Sequence, residues 1–107
     1  MASLETQGTE HAFDKYYKDK IVTAIIGIET DVNRVESVAR TVVGHSYVED
    51  TFIVTGDFDI VLKVRFPEFW TLQEFLVDEL SKVPGVKSIK TMMVLTTMKD
   101  QGKIMME

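Results

Sequence analysis

The sequence contains no cysteine, which excludes disulfide bonds, thiolate metal sites and a cysteine nucleophile. Its longest apolar runs are far shorter than the roughly 20 residues that a membrane-spanning helix needs. The N-terminus lacks the basic start and apolar core of a secretory signal. A net charge of −5 is a poor match for the phosphate backbone of DNA or RNA, which proteins usually bind through basic patches. We therefore expect a cytoplasmic chain with no membrane contact and no direct contact with nucleic acid.

The length of 107 residues suits one small domain with a single core. Residues 1–20 are mostly polar and predict an N-terminal tail, or a short helix carrying Phe13, Tyr16 and Tyr17. Residues 21–98 hold the regularly patterned segments and are the predicted domain. Residues 99–107 are predicted to be a C-terminal tail.

The first patterned segments predict a strand followed by a helix. Residues Ile21 to Thr30 are rich in β-branched residues and apolar on both faces, which is typical of a central strand. A helix then follows, with Thr30 or Asp31 as its N-cap and Gly44 at its end. The apolar stripe expected to face the core is Val32, Val35, Val38, Ala39 and Val42.

Two alternating segments around Gly56 and Asp57 predict a β-hairpin. In the first, Val48, Phe52 and Val54 are expected to share one face. In the second, alternation is sharper: Asp59, Val61, Lys63 and Arg65 lie on one face, and the opposite face carries Phe58, Ile60, Leu62, Val64 and Phe66.

A second helix and a last strand complete the pattern. Pro67 precedes the helix, and Thr71 with Glu74 has the spacing of a capping box. Pro84 and Gly85 end the helix, and a strand is predicted from Val86 to Met98. The expected inner stripe of the helix is Leu72, Phe75, Leu76, Leu80 and Val83, with Glu79 at its margin.

The order strand, helix, strand, strand, helix, strand predicts an α+β, ferredoxin-like βαββαβ fold. Four antiparallel strands form the sheet, with the first and third in the centre, and both helices cover one face. The other face has no helix of its own and carries residues that are not strongly polar, such as Val61 and Ile53. We therefore predict that the chain dimerises through this sheet face.

The hairpin turn is the segment with the most distinctive chemistry, and two interpretations of it remain open. Asp57 and Asp59 have no histidine base nearby in sequence, so paired-carboxylate catalysis is not expected. His11 and His45 are isolated, so no metal and no cofactor are expected. The acidic residues are either solvated strand ends or a binding site, in which amide groups freed by Gly56 hold a carboxylate and an aspartate holds an ammonium group. That pairing suits a free amino acid.

The segments "VTGDFDIVLKV" (54–64) and "LQEFLVDELSKVPGVKSIKTMMVL" (72–95) resemble the effector-binding domain, or RAM domain, of the Lrp/AsnC transcriptional regulators. In that family a Gly-x-x-Asp turn, often preceded by threonine, joins two strands. The second helix ends in Leu-x-x-x-Pro-Gly-Val before a strand that contains a threonine. The matching residues are Thr55, Gly56, Asp59, Leu80, Pro84, Gly85, Val86 and Thr91.

This resemblance implies a non-enzymatic domain that senses an amino acid or related small effector and forms dimers, or rings of dimers. Thr55, Gly56, Asp57 and Phe58 would contact the effector, and Asp59 would organise the site or bind its amino group. Thr91 would lie on a facing strand. Glu49 and Ser88 are further candidates by position alone. The chain lacks the family's helix-turn-helix before the domain, so we expect a stand-alone form that acts on full-length regulators or other partners.

Three rival functions fit the same pattern of strands and helices. An ACT-type module also binds amino acids, although its glycine-bearing loop follows the first strand, where this chain has "GIETDVNR". A small dimeric enzyme would use a cavity beneath the sheet; a cavity lined by His45, Tyr47 or Trp70 would favour it, and a solid apolar core would contradict it. A pure assembly module would bind no ligand at all.

Overall fold

A computed structural model of the chain describes residues 21–105. The predicted N-terminal tail or helix, with its three aromatic residues, lies outside this range. The main elements are β1 (Val22–Thr30), α1 (Val35–Val42), β2 (Val48–Ile53), β3 (Ile60–Phe66), α2 (Phe69–Glu74), β4 (Val86–Met93), β5 (Lys99–Asp100) and β6 (Lys103–Ile104). Within the described part, no helix is long and apolar enough to span a membrane.

The main sheet has the order β2-β3-β1-β4 with every neighbouring pair antiparallel. The predicted ferredoxin-like fold is therefore confirmed, with the first and third strands in the centre. β1 is central because it is apolar on both faces, so that it can be covered on both sides as well as paired at both edges.

The core lies between this sheet and the two helices, which share one sheet face. Alternate residues of β1 and β3, from Val22 to Ile28 and from Ile60 to Phe66, are buried there. Val38 and Val42 of α1 and Leu72 of α2 pack on them. Burying a valine contributes about 1.5 kcal/mol or more, which outweighs its few tenths of a kcal/mol of lost helix propensity.

The first helix begins later than its valine pattern predicts. Residues Val32–Arg34 form a 3₁₀ turn, and the α-helix starts only at Val35. Because a 3₁₀ turn advances 120° per residue instead of 100°, Val32 falls out of line with the stripe and is 95% exposed. Its placement on the buried face was wrong, whereas Val38, Ala39 and Val42 are buried as expected. Asp31 is the N-cap of the 3₁₀ turn and Arg34 that of the α-helix, and neither side chain makes a capping hydrogen bond.

The second helix also starts differently from the prediction. Its N-cap is Glu68, and the Thr71 hydroxyl accepts a hydrogen bond from the Glu68 backbone N–H at 3.3 Å. The expected capping box of Thr71 with Glu74 was therefore wrong by one turn. After Glu74 the helix widens into a π-helical turn, Phe75–Glu79, and then tightens into a 3₁₀ turn, Leu80–Lys82.

A β-bulge in β2 reverses part of its predicted alternation. Val48 is opposite Val64, but Asp50 is opposite Lys63, so one extra residue lies between them. Val48 therefore shares the helix-covered face with Val64, and Phe52, opposite Val61, lies on the other face. The prediction that Val48 and Phe52 share a face was wrong, because one inserted residue moves every later side chain of the strand to the opposite face of the sheet.

The last strand is shorter than expected, since β4 ends at Met93 rather than Met98. Residues 99–104, part of the expected C-terminal tail, instead form a small hairpin of β5 and β6. Gln101 and Gly102 both have positive φ values, 50° and 84°, which suits the tight turn of a two-residue hairpin. Asp100 fixes this hairpin to β3 through a 3.0 Å hydrogen bond from Lys63 Nζ.

Candidate functional site

Asp59 joins the hairpin turn to the end of the central strand. Its Oδ2 atom accepts a 2.9 Å hydrogen bond from the backbone N–H of Thr30, a residue that is 4% exposed. Its own N–H donates to the Ile28 carbonyl, and its carbonyl accepts from the Val54 N–H, both at 2.9 Å. The pairing of β3 with β1 ends at Ile28, so β3 offers no backbone carbonyl to the N–H of Thr30. The Asp59 carboxylate accepts that hydrogen bond instead.

The turn that Asp59 holds is exposed at its tip. Thr55, Gly56 and Asp57 are exposed, and Gly56 has a φ of 130°. A Cβ added to Gly56 would meet no atom within 4 Å, so the turn is open on that side. Within residues 21–105, no hydrogen bond engages the backbone N–H groups from Thr55 to Phe58. Backbone amides without a hydrogen bond in this part of the chain are suitable donors for a carboxylate.

Phe58 lies on the sheet face that no helix of residues 21–105 covers, called here the open face. A Cβ added to Gly27 would lie 2.7 Å from three atoms of the Phe58 ring, so the ring packs directly on this glycine. Gly27 sits between the buried Ile26 and Ile28, and its Cβ position therefore points to the opposite, open face. The expectation that Phe58 shares a face with Ile60 was wrong because β3 begins only at Ile60, and strict alternation does not extend into the turn.

Glu29 and Ser88 lie on the open face beside this turn. They are opposite each other on β1 and β4, and the Ser88 hydroxyl donates a 3.0 Å hydrogen bond to Glu29 Oε1. Asp59 reaches the same end of β1 from the other side, at Thr30. Ser88 contacts Glu29, and Asp59 contacts the next residue, Thr30, so β1 lies between Ser88 and the Thr55–Asp59 turn. Sequence reasoning missed Glu29 and Gly27. Glu29 could have been found, because it is the single charged residue within an apolar central strand.

Two of the predicted site residues lie elsewhere. Glu49 is at the far end of the hairpin, about 13 Å from Ile53, where β2 ends before the turn, at roughly 3.3 Å per residue. There it approaches Lys63 Nζ at 3.6 Å and Arg65 Nη1 at 3.3 Å. Thr91 is opposite the buried Ile26 on β1 and so points to the helix-covered face. Neither is brought together with the Thr55–Asp59 turn.

Lys63 is the centre of a charge cluster on the open face, formed by Lys63, Glu49, Arg65 and Asp100. The hydrogen bond with Asp100 is the largest cause of the raised pKa of Lys63; burial, the next largest, lowers it, and the charges of Asp100, Glu49 and Asp50 raise it further. This cluster joins β2, β3 and the C-terminal hairpin.

A separate shallow pocket of about 240 Å³ opens between the ends of the two helical segments. His45 lines it, but Tyr47 and Trp70 do not, and its floor is formed by the core residues Val42, Phe75 and Leu80. One of the three residues that would favour the small-enzyme hypothesis therefore lines a pocket. No group of three His, Asp or Glu residues in the described part of the chain could hold a metal ion.

The fold defines a class of protein. Four antiparallel strands in the order β2-β3-β1-β4, with the helices of residues 21–105 on one face, define an α+β domain of the ferredoxin-like class. The particular family follows from sequence. The model of the Lrp/AsnC ligand binding domain matches residues 23–104, and the chain belongs to this family. The match includes the C-terminal hairpin.

Individual relatives agree with this assignment. An HTH-type transcriptional regulator of Pyrococcus furiosus, PF1231, is 35% identical over 81 residues, which is 76% of this chain and 54% of the relative. The chain thus spans about half the length of this curated relative. The crystal structure of FFRP-DM1 has a TM-score of 0.66 at 25% identity, covering 68% of this chain and 97% of that one. The regulator NMB0573 of Neisseria meningitidis, solved as an L-Met complex, has a TM-score of 0.70 at 24% identity. The similarity covers 78% of this chain and 55% of that one.

Proposed function

We propose that this chain is a non-enzymatic, amino-acid-sensing domain that self-associates through its open sheet face and acts in the cytoplasm on transcriptional regulators or other partners. The observation that carries the proposal is the exposed Thr55–Phe58 turn, held by Asp59 at the edge of that face. The family assignment supports it, since the relatives include transcriptional regulators and one neighbouring structure is an L-Met complex.

The turn offers complementary groups for the two charged ends of an amino acid. Backbone N–H groups from Thr55 to Phe58 would bind the carboxylate. Asp59 uses Oδ2 for Thr30, which leaves Oδ1 for an ammonium group, and Glu29 supplies a second carboxylate nearby. The Phe58 ring would contact the side chain of the effector. Ser88 would act through Glu29, whereas Glu49 and Thr91 have no part in this arrangement.

Self-association would complete the site, because an exposed turn encloses only one side of a ligand. The open face carries exposed apolar side chains, including Phe52 and Met92, each 55% exposed, and covering them would favour a dimer. Contacts between dimers near the turn would then enclose the effector. Rings of dimers are the larger assembly that this arrangement suggests.

Calorimetric titration of the 107-residue chain with the twenty common amino acids tests the proposal. We expect at least one to bind saturably. Light scattering on the same samples would report the oligomeric state. No binding by any amino acid to a folded oligomer would contradict amino-acid sensing and favour a pure assembly module.

Asp59 can be tested separately as a ligand-binding group. Asp59→Asn retains an oxygen that can accept the Thr30 hydrogen bond but removes the charge, so we expect effector affinity to fall about tenfold while the oligomer persists. Asp59→Ala is expected to weaken binding as well, again with the dimer retained, although it also removes the Thr30 acceptor. Asp78→Asn, on the outer face of the second helix, is the matched control. Unchanged affinity in Asp59→Asn would remove this residue from the site.

A further inference from the structure

The pocket between the helical segments is a second candidate for ligand binding, distinct from the hairpin turn. It lies on the helix-covered side of the sheet, whereas Gly27, Phe58 and Ser88 lie on the open side. Its walls combine a largely apolar floor with polar groups at one side. The lining residues are Thr41, Val42, His45, Phe75, Glu79, Leu80 and Val83.

The imidazole of His45 is held rigidly in the wall of this pocket. Its ring packs edge-on against Phe75 with centroids 4.6 Å apart, and it also contacts Phe66 at 5.8 Å. Its Nδ1 atom accepts a 3.1 Å hydrogen bond from the Tyr47 backbone N–H. The other ring nitrogen, Nε2, faces Glu79 Oε1 at 3.5 Å.

Glu79 is the charged group of the pocket, and its second oxygen is available. Within residues 21–105, no lysine or arginine nitrogen lies within 4 Å of this carboxylate, and His45 is its one basic neighbour there. The Glu79 side chain is 56% exposed at the rim. Phe75 and Glu79 are the two ends of the π-helical turn, a local widening that often occurs at functional sites.

From this arrangement we infer that the pocket binds a small hydrophobic amine, whose ammonium group pairs with Glu79 while its apolar body lies against Phe75, Leu80 and Val83. A volume of about 240 Å³ is below the roughly 300–1,000 Å³ of pockets for drug-sized ligands, so the ligand is the size of a fragment. A free amino acid is disfavoured, because its carboxylate would lie beside the Glu79 carboxylate. This site is therefore separate in location and in ligand chemistry from the proposed effector site.

Two-dimensional ¹H–¹⁵N NMR of the full chain, titrated with 2-phenylethylamine, tests this inference. We expect saturable shifts at His45, Phe75 and Leu80, with a dissociation constant on the order of 0.1–1 mM, as suits a fragment in an open pocket. 2-Phenylethanol, which has no charge, and L-phenylalanine, which adds a carboxylate, should each bind this pocket more weakly. Absence of saturable shifts at about 10 mM amine, well above this range, would overturn the inference.

A pair of variants tests the role of the carboxylate. Glu79→Gln keeps the side-chain size but removes the charge, so we expect amine affinity to fall about two- to fivefold, as for a partly exposed ion pair. Glu74→Gln, an exposed position one turn earlier, is the matched control and should leave affinity unchanged. Asp59→Asn should also leave it unchanged, since that residue belongs to the other site. Equal affinity in Glu79→Gln and wild type would overturn the assignment of Glu79.

Discussion

At the scale of single residues, the contact between Gly27 and the Phe58 ring makes glycine necessary in the middle of the central strand. Glycine inside a strand usually lowers stability, because it restricts the unfolded chain less and packs no side chain. Here it leaves space for an aromatic ring that would otherwise meet a Cβ at 2.7 Å. The same ring covers the strand next to the turn, so this glycine links core stability to the shape of the proposed effector site.

Gly27→Ala should therefore destabilise the protein, by about 1–3 kcal/mol, because the ring has to move away from the strand. Urea unfolding measures the loss. In the double variant Gly27→Ala, Phe58→Ala the clash is gone, so its free energy of unfolding should fall by less than the sum of the two single changes. Additive losses would show that the two residues do not interact.

Asp59 is a second residue whose role in stability can be separated from ligand binding. Asp59→Ala leaves the nearly buried Thr30 N–H without its acceptor, which should lower the free energy of unfolding by about 1–3 kcal/mol. Asp57→Ala, at the exposed tip of the same turn, should change it by less than about 0.5 kcal/mol. Chemical denaturation without ligand compares the two, and equal losses would contradict the structural role of Asp59.

At the scale of elements, the late start of α1 changes which valines matter. Val38→Ala removes two buried methyl groups and leaves a cavity, so it should cost about 2 kcal/mol. Val32→Ala alters a residue that is 95% exposed and should change stability by less than about 0.5 kcal/mol. Thermal unfolding of the two variants compares them directly. A similar loss of stability at both positions would support the continuous apolar stripe that the sequence predicts and contradict the late start of α1.

A helix or strand could be predicted from the sequence where the residues that determine it are close together in the chain. The alternation of β3 and the apolar character of β1 are local, and together they predicted the fold and the central strands. The bulge in β2 is not visible locally, because polar and apolar residues there fit either register. Gly56 marked the turn correctly as exposed, but the separation of Glu49 and Thr91 from it depends on strand length and pairing register, which arise only when strands meet.

The C-terminal hairpin depends on the charge of Lys63. Its pKa is raised in the folded state, above the usual value of about 10.4, with the Asp100 hydrogen bond as the largest cause. The stabilisation is therefore fully present below the unfolded pKa and is lost as pH rises through the folded one. We expect residues 99–104 to become more mobile above about pH 10.4, as measured by NMR relaxation of carbon-bound groups, which remain observable when amide protons exchange too fast. Asp100→Asn should produce the same change at neutral pH, and an unchanged hairpin in that variant would contradict the role of this contact.

At the scale of the whole molecule, the two faces of the sheet differ in what covers their apolar side chains. One is covered by both helices, and the other exposes Phe52 and Met92 around the charge cluster of Lys63, Glu49, Arg65 and Asp100. A stable partner typically covers about 800 Å² on each side, and a four-stranded sheet provides a surface of that order. Charges arranged among apolar residues on such a face fix the orientation of two subunits more than they add to affinity.

Phe52→Asp should therefore weaken self-association, because it places a carboxylate, and its cost of desolvation, in the proposed interface. We expect the dimer dissociation constant in sedimentation experiments to rise at least about tenfold. Val77→Asp adds the same charge at an exposed apolar position on the outer surface of the helical layer and should leave it unchanged. If effector affinity also falls in Phe52→Asp but not in Val77→Asp, the turn binds its ligand only in the assembled protein. If association is equally strong in both variants, the open face is not the interface.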